Sequence, residues 1–394
     1  MKRTLTLMPF MVLLFILPFP GTVALRLASL AAAFLVAIVL WKRLAPPSIP
    51  CKPALALWAL VALASLVGAV DPSYSLGEIK NEILYTVIAF LAFFTVTRQE
   101  GDLERLLLVL FGGALVLCAL ALDAHLRLGM WNDESLHGGI AAFAGYAVAL
   151  APMLFLYGAY ASGRWRRAAV ILAFAVLAFV SFLSLQRIVW WVFAAEAAIA
   201  LVLLRHFGLT RLSRTGLAAC LVGTAALSGG IFVAAQTERF GGQGAIVEDI
   251  RLGQWPLVVE RIAQHPIVGG GFGRGAMSKA YPDLVPERKP WVWHAHNVFL
   301  NYGLEMGLPG MLVLAWVFFS LLREYWRLCN APDEKLRFLG IAGLMLIAGV
   351  VLRNQVNDMF LREQSLMFWA LNGALLGSGL RGLSRPGEPA ARST

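Results

Sequence analysis

Apolar residues in this chain come in long runs rather than in alternation. Twelve runs approach or reach the roughly 20 residues needed to cross a hydrocarbon core. They cover 4–20, 22–41, 53–70, 79–97, 103–125, 137–161, 166–184, 187–205, 214–235, 297–322, 335–354 and 359–380. Pro18, Pro20 and Gly21 divide the first two. Backbone groups in hydrocarbon must pair within their own segment, so runs of this length read as helices. The pattern predicts an all-α integral membrane protein with about 12 transmembrane helices. Lys2 and Arg3 ahead of the first run would also suit a signal peptide. No small-residue cleavage site follows and further spans come at once, so the run reads as the first helix.

The pattern changes once, over 236–296, the one extended polar stretch. It divides the chain into nine helices over 1–235, a long loop over 236–296, three helices over 297–380 and a basic tail over 381–394. Within the loop, Ile250, Leu252, Trp255, Leu257, Val258 and Ile262 recur at helical spacing. That spacing predicts an amphipathic helix over 248–264, lying on or dipping into the membrane interface. His265, His294 and His296, half of the six histidines, are in this loop with Trp255, Trp291 and Trp293. Such content suits an ordered, functional segment better than a loose connector.

Composition strengthens the membrane reading. Of 394 residues, 59% are hydrophobic and 14% are charged, against about 25% charged in soluble domains. The net charge of +10 would raise nucleic acid as a partner in a soluble protein. Here the positions of the charges argue otherwise. With the N-terminus in the cytoplasm, twenty of the 33 Lys and Arg fall on the cytoplasmic side and six in short outer segments. The other seven lie in the long loop, where the positive-inside rule is weak. Both termini are therefore expected in the cytoplasm and the loop outside, with no nucleic-acid partner. Cys51, Cys118, Cys220 and Cys329 are widely scattered and form no metal or disulfide spacing.

Several residues carry candidate chemistry. Arg187, in LSLQRIVWW, sits at the outer end of a span among apolar neighbours. It either snorkels to the interface or faces a cavity and a partner. Arg261, in VVERIAQHPIVGGGFGRG, has Glu260 and Gln264 nearby, and a surface salt bridge is the plain alternative. The run GGGFGRG over 269–275 lacks the Gly-Lys-Ser/Thr of a phosphate loop, so its glycines are expected to make a tight turn. His296 stands at the junction of the loop with span 297–322, followed by Asn297 and then by Gly307 and Gly310. An imidazole there meets both water and the membrane edge, and its ordinary pKa suits proton abstraction from a hydroxyl. The two glycines are expected to allow close helix packing below it. His294 and His296 with Asp283 or Glu287 also offer a metal-ligand set, a weakly specific pattern. Glu196 and Glu305 fall within spans, which keeps a proton-coupled transporter as a rival.

Together these elements resemble the O-antigen ligase and polymerase family. That family carries an arginine at the outer end of a mid-chain helix and a second arginine ahead of a His-Pro-hydrophobic-x-Gly-x-Gly stretch. It also carries a His-(Asn/Ser/Gln)-x9-Gly-x-x-Gly motif where the long loop ends. Here the counterparts are Arg187, Arg261 before HPIVGGGFG, and His296 with Asn297, Gly307 and Gly310. Gln186 stands where a serine often precedes the first arginine. The resemblance implies a C-type glycosyltransferase architecture in the bacterial inner membrane, with its active site in the periplasm. It implies transfer, without a metal or other cofactor, from undecaprenyl-pyrophosphate-linked O-antigen to a hydroxyl of lipid A–core oligosaccharide, with inversion, to form lipopolysaccharide. Arg187 and Arg261 would clamp the diphosphate and His296 would serve as base, with Lys80, Arg288, His294 and Asn297 as further contacts to donor or acceptor.

Three other readings stay open. An O-antigen polymerase would use the same donor. A protein O-oligosaccharyltransferase often carries extra C-terminal mass, which is absent here. A transporter or flippase would be favoured by internal repeats, and none is evident.

Overall fold

A computed structural model describes residues 2–44, 46–128, 139–240, 250–285, 293–356, 358, 360 and 362–384. Each of the twelve apolar runs lies on a helix. In chain order these are α1 (Lys2–Ile16), α2 (Val23–Leu44), α3 (Lys52–Ala64), α4 (Pro72–Glu78), α5 (Tyr85–Val96), α6 (Glu100–Leu128), α7 (Gly139–Tyr160), α8 (Arg164–Leu183), α9 (Arg187–His206) and α10 (Arg214–Phe240). After α10 come α11 (Ile250–Gln264), α12 (Ala276–Ala280), α13 (Val298–Cys329), α14 (Glu334–Arg353) and α15 (Arg362–Leu383). The fourth run is composite: α4 continues through a π-helical turn, Ile79–Leu84, into α5. Among the described residues, nine helices are long and apolar enough to cross a membrane, with shorter apolar helices over Arg3–Ile16 and Lys52–Val67. The chain is a multi-pass membrane protein.

The centre of the bundle is α15 against α5. Gly373 and Gly377 bring the two backbones together, since a Cβ there would lie 2.3 Å from the Phe90 carbonyl and 2.5 Å from that of Phe94. Small residues at such crossings replace the hydrophobic driving force that lipid removes. Trp369 of α15 stacks on Trp58 of α3, with ring centroids 5.5 Å apart, and meets Phe90 edge-on at 5.8 Å. The periphery has the opposite character. On α8, Ile171 and Leu172 are exposed, as are Val222 and Leu227 on α10. Exposed apolar side chains on these helices suit contact with lipid.

Helices α9 and α14 run antiparallel. Arg337 donates from Nη1 to the Phe207 carbonyl at 3.3 Å, while Gly349 lies against the Glu196 carboxylate. In that register, residue 187 at the start of α9 comes level with the segment just after Arg353.

The long helix α13 is broken. Gly307 has φ 69° and ψ −164°, and Pro309 has no N–H for the Glu305 carbonyl. Leu308 turns its N–H to the Pro266 carbonyl at 2.7 Å, leaving the Leu304 carbonyl free as well. Both freed carbonyls are taken by the glycine run: Gly270 N–H donates to Leu304 O at 2.8 Å and Gly271 N–H to Glu305 O at 3.0 Å. Gly307 thus docks the loop, while Gly310 faces Tyr302 and Met306 of its own helix. A Cβ on Gly307 would come within 2.6 Å of the Pro266 carbonyl oxygen, and one on Gly269 within 2.2 Å of Leu304 O.

Candidate functional site

The docked loop brings α11 and the segment before α13 into one small cluster. Val258 and Ile262 of α11 pack with Met277, Tyr281, Leu284, Ala295 and Leu304. The cluster places Arg261 and His296 on one face of the protein, because Ile262 and Ala295 are their chain neighbours.

The tripeptide His294–Ala295–His296 is pinned on both sides. Ala295 N–H donates to Asn301 Oδ1 at 2.9 Å, and the Ala295 carbonyl accepts from Trp255 Nε1 at 2.8 Å. His296 adopts φ 51°, a left-handed conformation unusual for a residue with a Cβ. Its N–H donates to His294 Nδ1 at 3.0 Å, and the two rings lie 3.9 Å apart, centroid to centroid. A nitrogen that accepts a hydrogen bond carries no proton, so the His294 proton is on Nε2. Burial, then the nearby charges of Arg274, His296 and Arg251, push the His294 imidazole down to about 2. His294 is neutral across the working range. A strained backbone held by specific bonds is a common mark of a functional position.

Asn297 closes the turn. Its Oδ1 accepts from Phe299 N–H at 2.9 Å and Leu300 N–H at 3.1 Å, capping α13. Its Nδ2 donates to the backbone and side-chain oxygens of Gln355 at 3.3 and 3.2 Å. Val298 N–H donates to Asn354 O at 3.0 Å, which ties the His296 turn to the end of α14. Since the start of α9 is level with that end, Arg187 lies on the same face as His296. Its guanidinium sits over the Phe232 ring, 5.6 Å from the centroid. Arg261 lies over Tyr281 at 5.5 Å and donates from Nη2 to Asp283 Oδ2 at 2.5 Å. Lys80, in the π-helical turn, lines an otherwise largely apolar cleft of about 610 Å³ with Leu63, Ile83 and Val87. Arg288 falls outside the described residues, as does Glu287. Among the described residues no three His, Cys, Asp or Glu side chains converge as a metal site.

Further residues join the site without a motif to announce them. Asn301 donates from Nδ2 to Asp358 Oδ2 at 2.6 Å. Arg274 donates from Nη1 to the Asp358 carbonyl at 3.3 Å and lies over Trp293 at 4.6 Å. Trp293 in turn meets His294 edge-on at 4.9 Å. Arg353, at the end of α14, is 1% exposed with its Nε unpartnered.

The face therefore presents a half-buried histidine on a fixed turn, with Arg187 and Arg261 on the same face and the charges of Arg274 and Arg251 acting on its neighbour His294. Such a site suits proton transfer beside an anionic leaving group. A model of the protein family described as O-antigen ligase matches residues 138–315. The match spans Arg187, Arg261, His294, His296, Asn297, Gly307 and Gly310, and leaves Lys80, Arg353 and Asp358 outside. No curated protein matches the chain.

Proposed function

We propose that this protein is an O-antigen ligase, transferring a glycan from undecaprenyl pyrophosphate to a sugar hydroxyl of lipid A–core at the periplasmic face of the inner membrane. The observation that carries the reading is the pinned His296 turn, inside the region matched by the O-antigen ligase family model and level with Arg187. His296 takes the proton of the acceptor hydroxyl. The hydroxyl oxygen attacks the anomeric carbon from the side opposite the diphosphate, a new C–O bond forms, and the bond to the diphosphate breaks with inversion. The electron pair leaves with undecaprenyl pyrophosphate, and the proton passes from His296 to solvent. Arg187 and Arg261 offset the charge that grows on the departing oxygen, a service guanidinium performs at any working pH. Arg261 is ion-paired to Asp283 and exchanges that carboxylate for the diphosphate when the donor binds.

The test is ligation in detergent, with EDTA present, from purified protein, undecaprenyl-pyrophosphate glycan and rough lipopolysaccharide. Wild type is expected to form high-molecular-weight lipopolysaccharide, and His296→Ala, Arg187→Ala and Arg261→Ala are expected to lose at least a hundredfold in rate. Lengthening of the lipid-linked glycan alone would assign a polymerase. Full activity in His296→Ala would overturn the mechanism.

A further inference from the structure

At the far end of α13 from His296 lies a polar recess of about 340 Å³ between α3 and α13, lined by Lys52, Trp316, Ser320, Arg323, Glu324 and Arg327. Two helical pieces separate them, Asn297–Gly307 and Pro309–Arg323, of about 15 and about 21 Å at helical rise, so the His296 turn and the recess lie at opposite ends of α13, in a bilayer whose hydrocarbon core is about 30 Å thick. The recess therefore sits at headgroup depth on the opposite face of the bundle.

Its charges are unbalanced. Glu324, 4% exposed, accepts from Arg327 at 2.7 Å and more weakly from Arg323 at 3.4 Å. Lys52 makes no ion pair among the described residues. Three cations thus face one carboxylate that is already taken. Ser320, 7% exposed, offers a hydroxyl within the recess. Trp316, 41% exposed, stands two turns nearer mid-membrane than Arg323, at the depth where amphipathic aromatics line acyl chains. A cationic recess between membrane helices, opening beside an exposed tryptophan, matches the chemistry of a phosphate headgroup with attached acyl chains.

We propose that this recess binds the headgroup of an anionic glycerophospholipid from the adjacent leaflet. Its phosphate lies between Lys52 and Arg323, and its acyl chains run along Trp316. The site is separate from the His296 face and does not rest on the proposed reaction.

The test is thermal unfolding of delipidated full-length protein, followed by tryptophan fluorescence. It is titrated with micelles carrying dioleoylphosphatidylglycerol, dioleoylphosphatidylcholine, or inorganic phosphate in plain detergent. Phosphatidylglycerol is expected to raise Tm by several degrees, and the other two are not. Lys52→Gln/Arg323→Gln keeps the Arg327–Glu324 pair and is expected to weaken phosphatidylglycerol binding at least tenfold. Ser320→Leu fills the recess without changing charge and is expected to do the same. If both variants bind phosphatidylglycerol as wild type does, the assignment is overturned. An equal shift from inorganic phosphate would overturn it in favour of a soluble anion. If the double variant fails to fold, Ser320→Leu alone decides.

Discussion

His294 Nδ1 accepts the backbone N–H of His296 at 3.0 Å, so one histidine shapes the backbone that carries the other. This role requires a neutral His294, and burial with neighbouring cations supplies it by lowering its pKa to about 2.

The same shift makes stability pH-dependent. Below the ordinary histidine value of 6.5, the unfolded chain takes up a proton at this position and the folded protein does not. Stability is complete above pH 6.5 and falls as the pH drops towards 2, by at most about 1.4 kcal/mol per pH unit. His294→Asn places an oxygen near the Nδ1 position and has no such titration. It is expected to flatten the fall of Tm between pH 7.5 and 5, whereas His294→Ala lowers Tm at both.

Gly307 and Gly269 hold the loop to the broken helix, and neither tolerates a side chain. Gly307→Ala meets the Pro266 carbonyl oxygen at 2.6 Å and adopts φ 69°, a strain of about 1–3 kcal/mol. It is expected to abolish activity while helical content by circular dichroism stays within a few per cent of wild type. Limited proteolysis should then cut the 264–280 segment faster than in wild type.

The helices were legible in the sequence because membrane spans are written as local runs of about 20 residues. The site was legible only in part. His296 stands out by its place at the loop's end and Arg187 and Arg261 only through the family resemblance, while Arg274, Asn301 and Asp358 come together only in the fold. Asn301 and Asp358 are 57 residues apart and Arg274 and Asp358 are 84 apart, so no local pattern marks them. The pair Gly307 and Gly310 was expected to pack helices. The signal for a break was present in Pro309, which cannot donate to the Glu305 carbonyl, but its partner, the glycine run, lies more than thirty residues earlier. Asn297 was expected to contact substrate. Its carboxamide caps α13 and holds Gln355, which accounts for an asparagine directly after His296 without a ligand.

The Arg261–Asp283 pair separates a binding role from a structural one. Asp283 is more than half exposed, and an ion pair so placed contributes little to stability, under about 1 kcal/mol. Asp283→Asn frees the guanidinium. If Arg261 receives the diphosphate, this variant is expected to lower the donor KM severalfold with Tm unchanged, while Arg261→Ala raises it. A lower Tm in Asp283→Asn with unchanged donor KM would assign Arg261 to holding the loop instead.

Asn301 links the His296 turn to Asp358, and its two side-chain ends have different partners. Its oxygen takes the Ala295 N–H and its nitrogen donates to the Asp358 carboxylate, in a position only 2% exposed. Asn301→Ala leaves the buried Ala295 N–H without its acceptor and takes one donor from the Asp358 carboxylate, whose Oδ1 still accepts from Phe360 N–H at 2.9 Å; an unsatisfied buried group costs about 1–3 kcal/mol. Asn301→Asp keeps an acceptor for Ala295 but sets two carboxylates against each other. The alanine variant is expected to lower Tm and to cut kcat at least tenfold with donor KM little changed, because the turn loses its register while the arginines stay in place. The aspartate variant is expected to lower Tm further but to retain more of kcat per folded molecule, since Ala295 stays anchored. Steady-state ligation kinetics and thermal unfolding of the two variants together separate anchoring of the turn from support of Asp358. Equal loss of kcat in both would place the function in Asp358 rather than in the turn.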